Sequence, residues 1–271
     1  MSAGPQGSSP RRALVTGASS GIGEATARAL SRAGYRMALL ARREAELERV
    51  RAALDAPESH VCVACDLRDP AAVATALRSV RERFGALDLV VQNAAHGYLA
   101  RVEEYDPALL RSLVDTNVTA VLDVARESLP LLRAGQRPTM VLVSSIIARR
   151  GIPGQVAYAA SKAALNSIGE GLRIEWASDR IAVCLLDVGL TRTAFFATQP
   201  NPGRLPGPDV SAADSPERVA EEILALDRHP EPERWLSWKW RGLSLLGLLS
   251  PRLSDRYLVR RMGGGWSTPS R

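Results

Sequence analysis

Residues 13–23, Ala13-Leu14-Val15-Thr16-Gly17-Ala18-Ser19-Ser20-Gly21-Ile22-Gly23, set how the rest of the chain is read. A short apolar run leads into glycines spaced G-x-x-x-G-x-G, and a helical pattern over 22–33 begins at once. Glycines between a strand and a helix allow a tight turn and let the backbone approach a pyrophosphate. The free N–H groups and the dipole of the helix start then hold that anion. The competing reading is a glycine-rich turn with no ligand. The strand–turn–helix placement favours nucleotide binding, although the spacing is not the common G-x-G-x-x-G.

Outward from this turn, short apolar and often β-branched runs alternate with longer stretches of helical period. The runs at 13–15, 37–40, 61–65, 87–91, 140–143 and 181–186 have the character of strands buried on both faces. Helices are expected over 22–33, 44–54, 70–84, 107–132 and 157–178. Pro70 and Pro107 suit the first helical position, with Asp69 and Asp106 before them as N-caps. This alternation predicts an α/β fold with a doubly wound parallel sheet, the Rossmann arrangement, as a single domain over 11–234. Met1–Pro10 is small and polar, lacks the apolar core of an export signal and is expected to be a disordered leader. Residues 191–215 carry four prolines and two glycines, Pro200, Pro202, Pro206, Pro208, Gly203 and Gly207, and are expected to form a lid loop. Residues 235–271 form a basic, Trp- and Leu-rich extension.

The chain has 271 residues, 46% of them hydrophobic and 24% charged, as in ordinary water-soluble domains. Three cysteines without an export signal argue against a secreted disulfide scaffold, and no metal is called for. No uncharged stretch approaches the roughly 18 residues of a spanning helix, so no span is expected, and the expected location is cytoplasmic or peripheral to a membrane. The charge is unevenly placed. Residues 1–234 balance 28 basic against 28 acidic side chains, and the tail, with seven basic residues against Asp255, carries the entire +6. A nucleic-acid partner is not expected, since its groove would more often cross the body of the fold.

The end of the second strand discriminates between the two nicotinamide dinucleotides. An acid about twenty residues past the glycines would bind a ribose 2′-hydroxyl; an arginine would accommodate a 2′-phosphate. Here stand Ala41-Arg42-Arg43, so NADP(H) is preferred, with Arg43 equally readable as a solvated helix-start residue. Asp66 and Leu67 after the third strand could flank an adenine. Asn93 and Ala94 after the fourth leave room for the cofactor, though each signal is weak alone.

The strongest chemical signal is Tyr158-Ala159-Ala160-Ser161-Lys162. Residues four apart share a helix face, which puts the Lys162 ammonium near the Tyr158 phenol. A cation there favours phenolate and is expected to draw the phenol below its usual value of about 10, fitting it for acid–base work. Ser145 ends the fifth strand at the carboxyl edge of the sheet, where its hydroxyl can orient a substrate oxygen. Asn117, a poor helix former in mid-helix, could hold a water beside the lysine through its carbonyl. Lys162 is one of only two lysines among 35 basic residues, which makes a chance surface pair less attractive.

Together these residues resemble the short-chain dehydrogenase/reductase family over roughly 12–193. The resemblance implies that Ser145, Tyr158, Lys162 and Asn117 form a catalytic tetrad. It implies that Thr16, Gly17, Ser19, Ser20, Gly21, Ile22 and Gly23 bind the cofactor, with Asp66 near adenine and Asn93 after the fourth strand. Tyr158 and Lys162 would touch the cofactor too, and Val188, Gly189 and Thr193 would wall the nicotinamide. Hydride would pass between NADP(H) and a carbonyl or alcohol carbon while the tyrosine handles the proton. Three departures stand out: Gln92-Asn93-Ala94-Ala95 for Asn-Asn-Ala-Gly, Val188-Gly189 for Pro-Gly, and no glycine-rich final strand.

Four of five tryptophans, Trp235, Trp238, Trp240 and Trp266, lie in the tail, with a leucine run and a basic stretch. Such a segment suits a bilayer interface. The preferred expectation is that the leucine run packs on the domain, closes the cleft or contacts another subunit. Through family members with such extensions, the resemblance implies a lipophilic substrate, with Ile147, His96, Tyr98, Phe195 and Phe196 lining its pocket. The family's pairing of helices corresponding to 107–132 and 157–178 implies a homodimer or homotetramer. Two rival functions are a non-catalytic NADP(H)-binding regulator and a membrane-surface module working through the tail.

Overall fold

The computed structural model describes residues 10–262. The leader over 1–9 and Trp266 lie outside the described residues. Seven strands form one parallel sheet: β1 (Arg12–Thr16), β2 (Arg36–Ala41), β3 (Val61–Ala64), β4 (Leu89–Gln92), β5 (Thr139–Ser145), β6 (Ala182–Val188) and β7 (Glu233–Trp235). Their order is β3-β2-β1-β4-β5-β6-β7, so the winding reverses between β1 and β4. That switch point opens a crevice at the carboxyl ends of the strands.

Successive side chains on a strand point to opposite faces, and both faces are covered. Leu14 enters one core with Val73, Leu77, Val124 and Leu165, from helices α3 (Pro70–Phe84), α5 (Ala120–Arg133) and α6 (Val156–Glu175). Its neighbours Ala13 and Val15 enter the other, with Leu30, Leu47 and Ile223 from α1 (Gly21–Arg32), α2 (Glu44–Ala52) and α8 (Pro216–Arg228). The expected caps are present. Asp69 accepts from Ala71 N at 2.9 Å, and Asp106 accepts from Ala108 N at 2.7 Å and Leu109 N at 3.0 Å.

The structure adds detail that the sequence pattern does not carry. The single helix over 107–132 is α4 (Pro107–Val114), a wider π turn (Asp115–Thr119), then α5. A final strand does exist: β7 adds beside β6 without the glycines, and it straddles the break placed at 234. The region 191–215 contains a four-residue helix, α7 (Phe195–Thr198), and a bridge from Thr191 to Asp214. The tail folds into two helices, α9 (Trp238–Leu249) and α10 (Pro251–Met262). Its leucine run is divided between the two faces of α9. Leu243 is buried, but Leu245, Leu248 and Leu249 are exposed.

Candidate active site

The glycine turn between β1 and α1 is closed by backbone contacts that leave no room for side chains. Gly17 has φ +67°, in the left-handed region, and a Cβ there would meet Asn93 Nδ2 at 2.9 Å. A Cβ on Gly23 would lie 2.2 Å from Gly17 O. Thr16 sits beneath the turn, its Oγ1 accepting from Asn93 N and Ala94 N at 3.0 Å each. Asn93 answers by donating from Nδ2 to Thr16 O at 2.9 Å. Neither Thr16 nor Gly23 faces the crevice; both shape the turn that Gly17, Ser19, Ser20, Gly21 and Ile22 present to it.

From this turn a cleft of about 1390 Å³ runs to the first turns of α6. At its nucleotide end lie Arg42 and Arg43, with Asp66, Leu67, Asn93 and Ala94. Arg43 reaches across from the start of α2 and donates to Ser19 Oγ at 3.1 Å and Ser20 Oγ at 3.4 Å. The Asp66 carboxylate is tied to Arg68, which holds it down at about 2.

At the other end, α6 carries Tyr158 and Lys162 on one face, both buried. Lys162 Nζ lies 6.0 Å from the centroid of the Tyr158 ring and donates to Val143 O at 2.9 Å. Ser145, closing β5, lies beside the phenol, and its hydroxyl accepts from Ile147 N at 3.4 Å. Contrary to the expected acidification, the Tyr158 phenol is held above its ordinary value. Burial penalises phenolate, and only the Ser145 contact pulls the other way. Burial likewise lowers Lys162, to about 8, against the upward pull of the Asp187 carboxylate.

Asn117 lies in the π turn. Its side-chain carbonyl accepts from His96 N at 3.0 Å, and its amide donates to His96 O and Ser161 Oγ at 3.0 Å each. It therefore ties the loop after β4 to α6 rather than facing the cleft.

Of the expected substrate residues, Ile147, His96, Phe195 and Phe196 line the cleft. Phe195 stacks on Tyr158 with ring centroids 5.6 Å apart. Tyr98 is a correction. It is fully buried, its hydroxyl accepts from Asp106 N at 2.8 Å, and its ring abuts Tyr105, so it holds the start of α4. Val188, Gly189 and Thr193 stand on the cleft wall where β6 ends.

Sequence reasoning missed two contributions. Leu258 and Arg261 of α10 reach the cleft, because the tail folds back over it. Asp187, fully buried and in register with Ser144, lies on the sheet face that α6 covers, with Asn166 and Glu233 as polar neighbours. A lone acid in an apolar strand was the available signal.

Residues 11–202 match the family model of the short chain dehydrogenases. The chain belongs to that family. An uncharacterized oxidoreductase of Mycobacterium tuberculosis is 31% identical over 252 residues, spanning 91% of this chain and 97% of its own. A solved short-chain dehydrogenase of Streptomyces avermitilis is 28% identical and superposes with a TM-score of 0.79 over 94% of this chain and 98% of that one. An alcohol dehydrogenase of Thermococcus sibiricus, solved with 5-hydroxy-NADP, is 29% identical with a TM-score of 0.75 over 83% and 95% of the two chains. As a short-chain dehydrogenase, this protein is an oxidoreductase that uses a nicotinamide cofactor. The cleft fits such a group: the Gly17–Gly23 turn is a cradle that a single Cβ would fill, and it opens into the same space as Tyr158.

Proposed function

We propose that this short-chain dehydrogenase is an NADPH-dependent carbonyl reductase, reversible as an alcohol dehydrogenase, acting on a lipophilic small molecule. The observation that carries the reading is one continuous cleft with Arg42 and Arg43 at one end and Ser145, Tyr158 and Lys162 at the other. Paired guanidinium groups match the 2′-phosphate of NADP(H), and the wall after Ala41 offers no carboxylate to repel it. Ser19, Ser20, Gly21 and Ile22 at the start of α1 would hold the pyrophosphate.

When bound, the dinucleotide supplies the hydride. The protein's share is orientation and the proton. The Ser145 hydroxyl would donate to the carbonyl oxygen and fix the substrate's face. Tyr158 would transfer its phenolic proton to that oxygen as charge develops there. A phenol held above its ordinary value carries this proton at neutral pH. Lys162, charged below about pH 8, would stabilise the phenolate left behind. Asn117 acts as a positioning residue through Ser161 and His96. Ile147, Phe195, Phe196 and Leu258 supply an apolar wall, which supports a lipophilic substrate.

Exposed Leu109 and Val114 on α4, Leu122 on α5, and Val156 and Ile174 on α6 support a homo-oligomer formed through these helices. Among the described residues no helix is long and apolar enough to cross a membrane. A cytoplasmic location, peripheral to the membrane where the tail makes contact, completes the proposal. A panel of ketones and aldehydes followed by NADPH absorbance tests the reading. Tight NADPH binding with no turnover of any carbonyl would replace it with a non-catalytic regulator.

A further inference from the structure

Helices α9 and α10 pack against each other and against the rim of the cleft through a small inner face. Leu243, Ser244, Ser254 and Leu258 are buried there, and Arg150 donates to Ser254 Oγ at 2.9 Å and pairs with Asp255. The outer face has a different character. Trp238, Arg241, Leu245, Leu248 and Leu249 fall within one arc of α9 at helical spacing. Trp238 is 78% exposed, Leu248 78% and Leu249 86%, among the largest apolar exposures of the described residues. On α10, Leu253 and Tyr257 continue the apolar strip at 52% and 47% exposure. Beside them, Arg252, Arg256 and Arg260 form a basic row one turn apart, all exposed.

Three like charges at i, i+4 and i+8 repel one another on a free helix. Among the described residues, none of Lys239, Arg241, Arg252, Arg256 or Arg260 has an acidic partner, and Asp255, the tail's one acid, is already committed to Arg150. A surface that is apolar and uniformly positive must choose its occupant by charge. A second copy of the same patch would set arginines against arginines across a two-fold axis. An anionic bilayer offers what each part lacks: headgroup charge for the arginine row and interfacial depth for Trp238 and the leucines. Helix α9 has 12 residues, about 18 Å of helix, too short to span and suited to lie in the interface.

We propose that the outer face of the α9–α10 hairpin is a docking surface for anionic lipid membranes. Leu258 stands on the opposite side of α10 and, with Arg261, lines the cleft, so the docked protein holds the cleft mouth at the bilayer surface. The surface does not depend on the catalytic reading. It is tested with the full chain by co-sedimentation with vesicles of phosphatidylcholine alone or mixed with phosphatidylserine. Tryptophan emission and circular dichroism melts are recorded in parallel. The wild type should bind the mixed vesicles with a blue shift, bind the neutral ones far more weakly, and be released by high salt. Arg252→Gln with Arg256→Gln and Arg260→Gln should lower partition on the order of a hundredfold. Leu248→Ser with Leu249→Ser should lower it too, with melts unchanged. Equal or absent binding of the wild type to both vesicle types overturns the proposal, whatever the variants do. So does a serine variant that loses a dimer in light scattering yet keeps full vesicle binding, which would make a second copy the occupant.

Discussion

Lys162 Nζ stands 6.0 Å from the centre of the Tyr158 ring and spends a hydrogen bond on Val143 O at 2.9 Å. The ammonium is therefore bound to the backbone of β5 and not to the phenol. Burial raises the tyrosine against the pull of Ser145 and lowers the lysine against the pull of Asp187. The resulting pair holds a proton on oxygen and a charge on nitrogen that is lost near pH 8.

Tyr158→Phe removes the transferable proton while keeping the ring that Phe195 packs against. Turnover should fall by about two to four orders of magnitude with NADPH affinity nearly unchanged. Steady-state kinetics beside a cofactor fluorescence titration measures both, and wild-type turnover in the variant would remove Tyr158 from the chemistry.

Arg42→Asp places a carboxylate where a 2′-phosphate is expected. NADPH affinity should drop far more than NADH affinity. If both cofactors weaken equally, the phosphate assignment of this end of the cleft is wrong.

Gly23→Ala tests the cradle. The added Cβ would lie 2.2 Å from Gly17 O, a backbone atom with no freedom to swing aside. The turn must shift, which should cost about 1–3 kcal/mol in urea unfolding and weaken NADPH binding. An unchanged midpoint together with unchanged affinity would refute the tight-turn account.

Asp187→Asn addresses the pH limits. Burial and the neighbouring Glu233 carboxyl push the Asp187 carboxyl well above its ordinary range, while Arg149 and Asn166 pull it down. Between its unfolded and folded values the native state holds the extra proton, so stability linked to Asp187 falls as pH rises through that window. Asparagine cannot ionise, so the variant should lose this decline. Near pH 8, where that carboxyl ionises, asparagine also removes the charge that lifts Lys162, so the alkaline limb of kcat should move below about pH 8. A pH–rate profile superimposable on that of the wild type would show that Asp187 does not set the charge of Lys162.

The sequence alone determined the elements whose causes are local. Apolar runs, the Asp69-Pro70 and Asp106-Pro107 starts and the glycine turn each depend on neighbours within a few residues, so β1 to β6 and most helices could be read in order. Tyr158 and Lys162 were legible for the same reason, being one helical turn apart. What depends on distant partners was not. The π turn at Asn117 is held by His96 and Ser161, from two other elements. Tyr98 is withdrawn from the cleft by a hydrogen bond to Asp106 N. Strand β7 is only three residues long and gains its identity from the β6 edge it completes. The sign of the Tyr158 shift and the outward turn of the tail leucines were decided by burial, which a linear pattern does not contain.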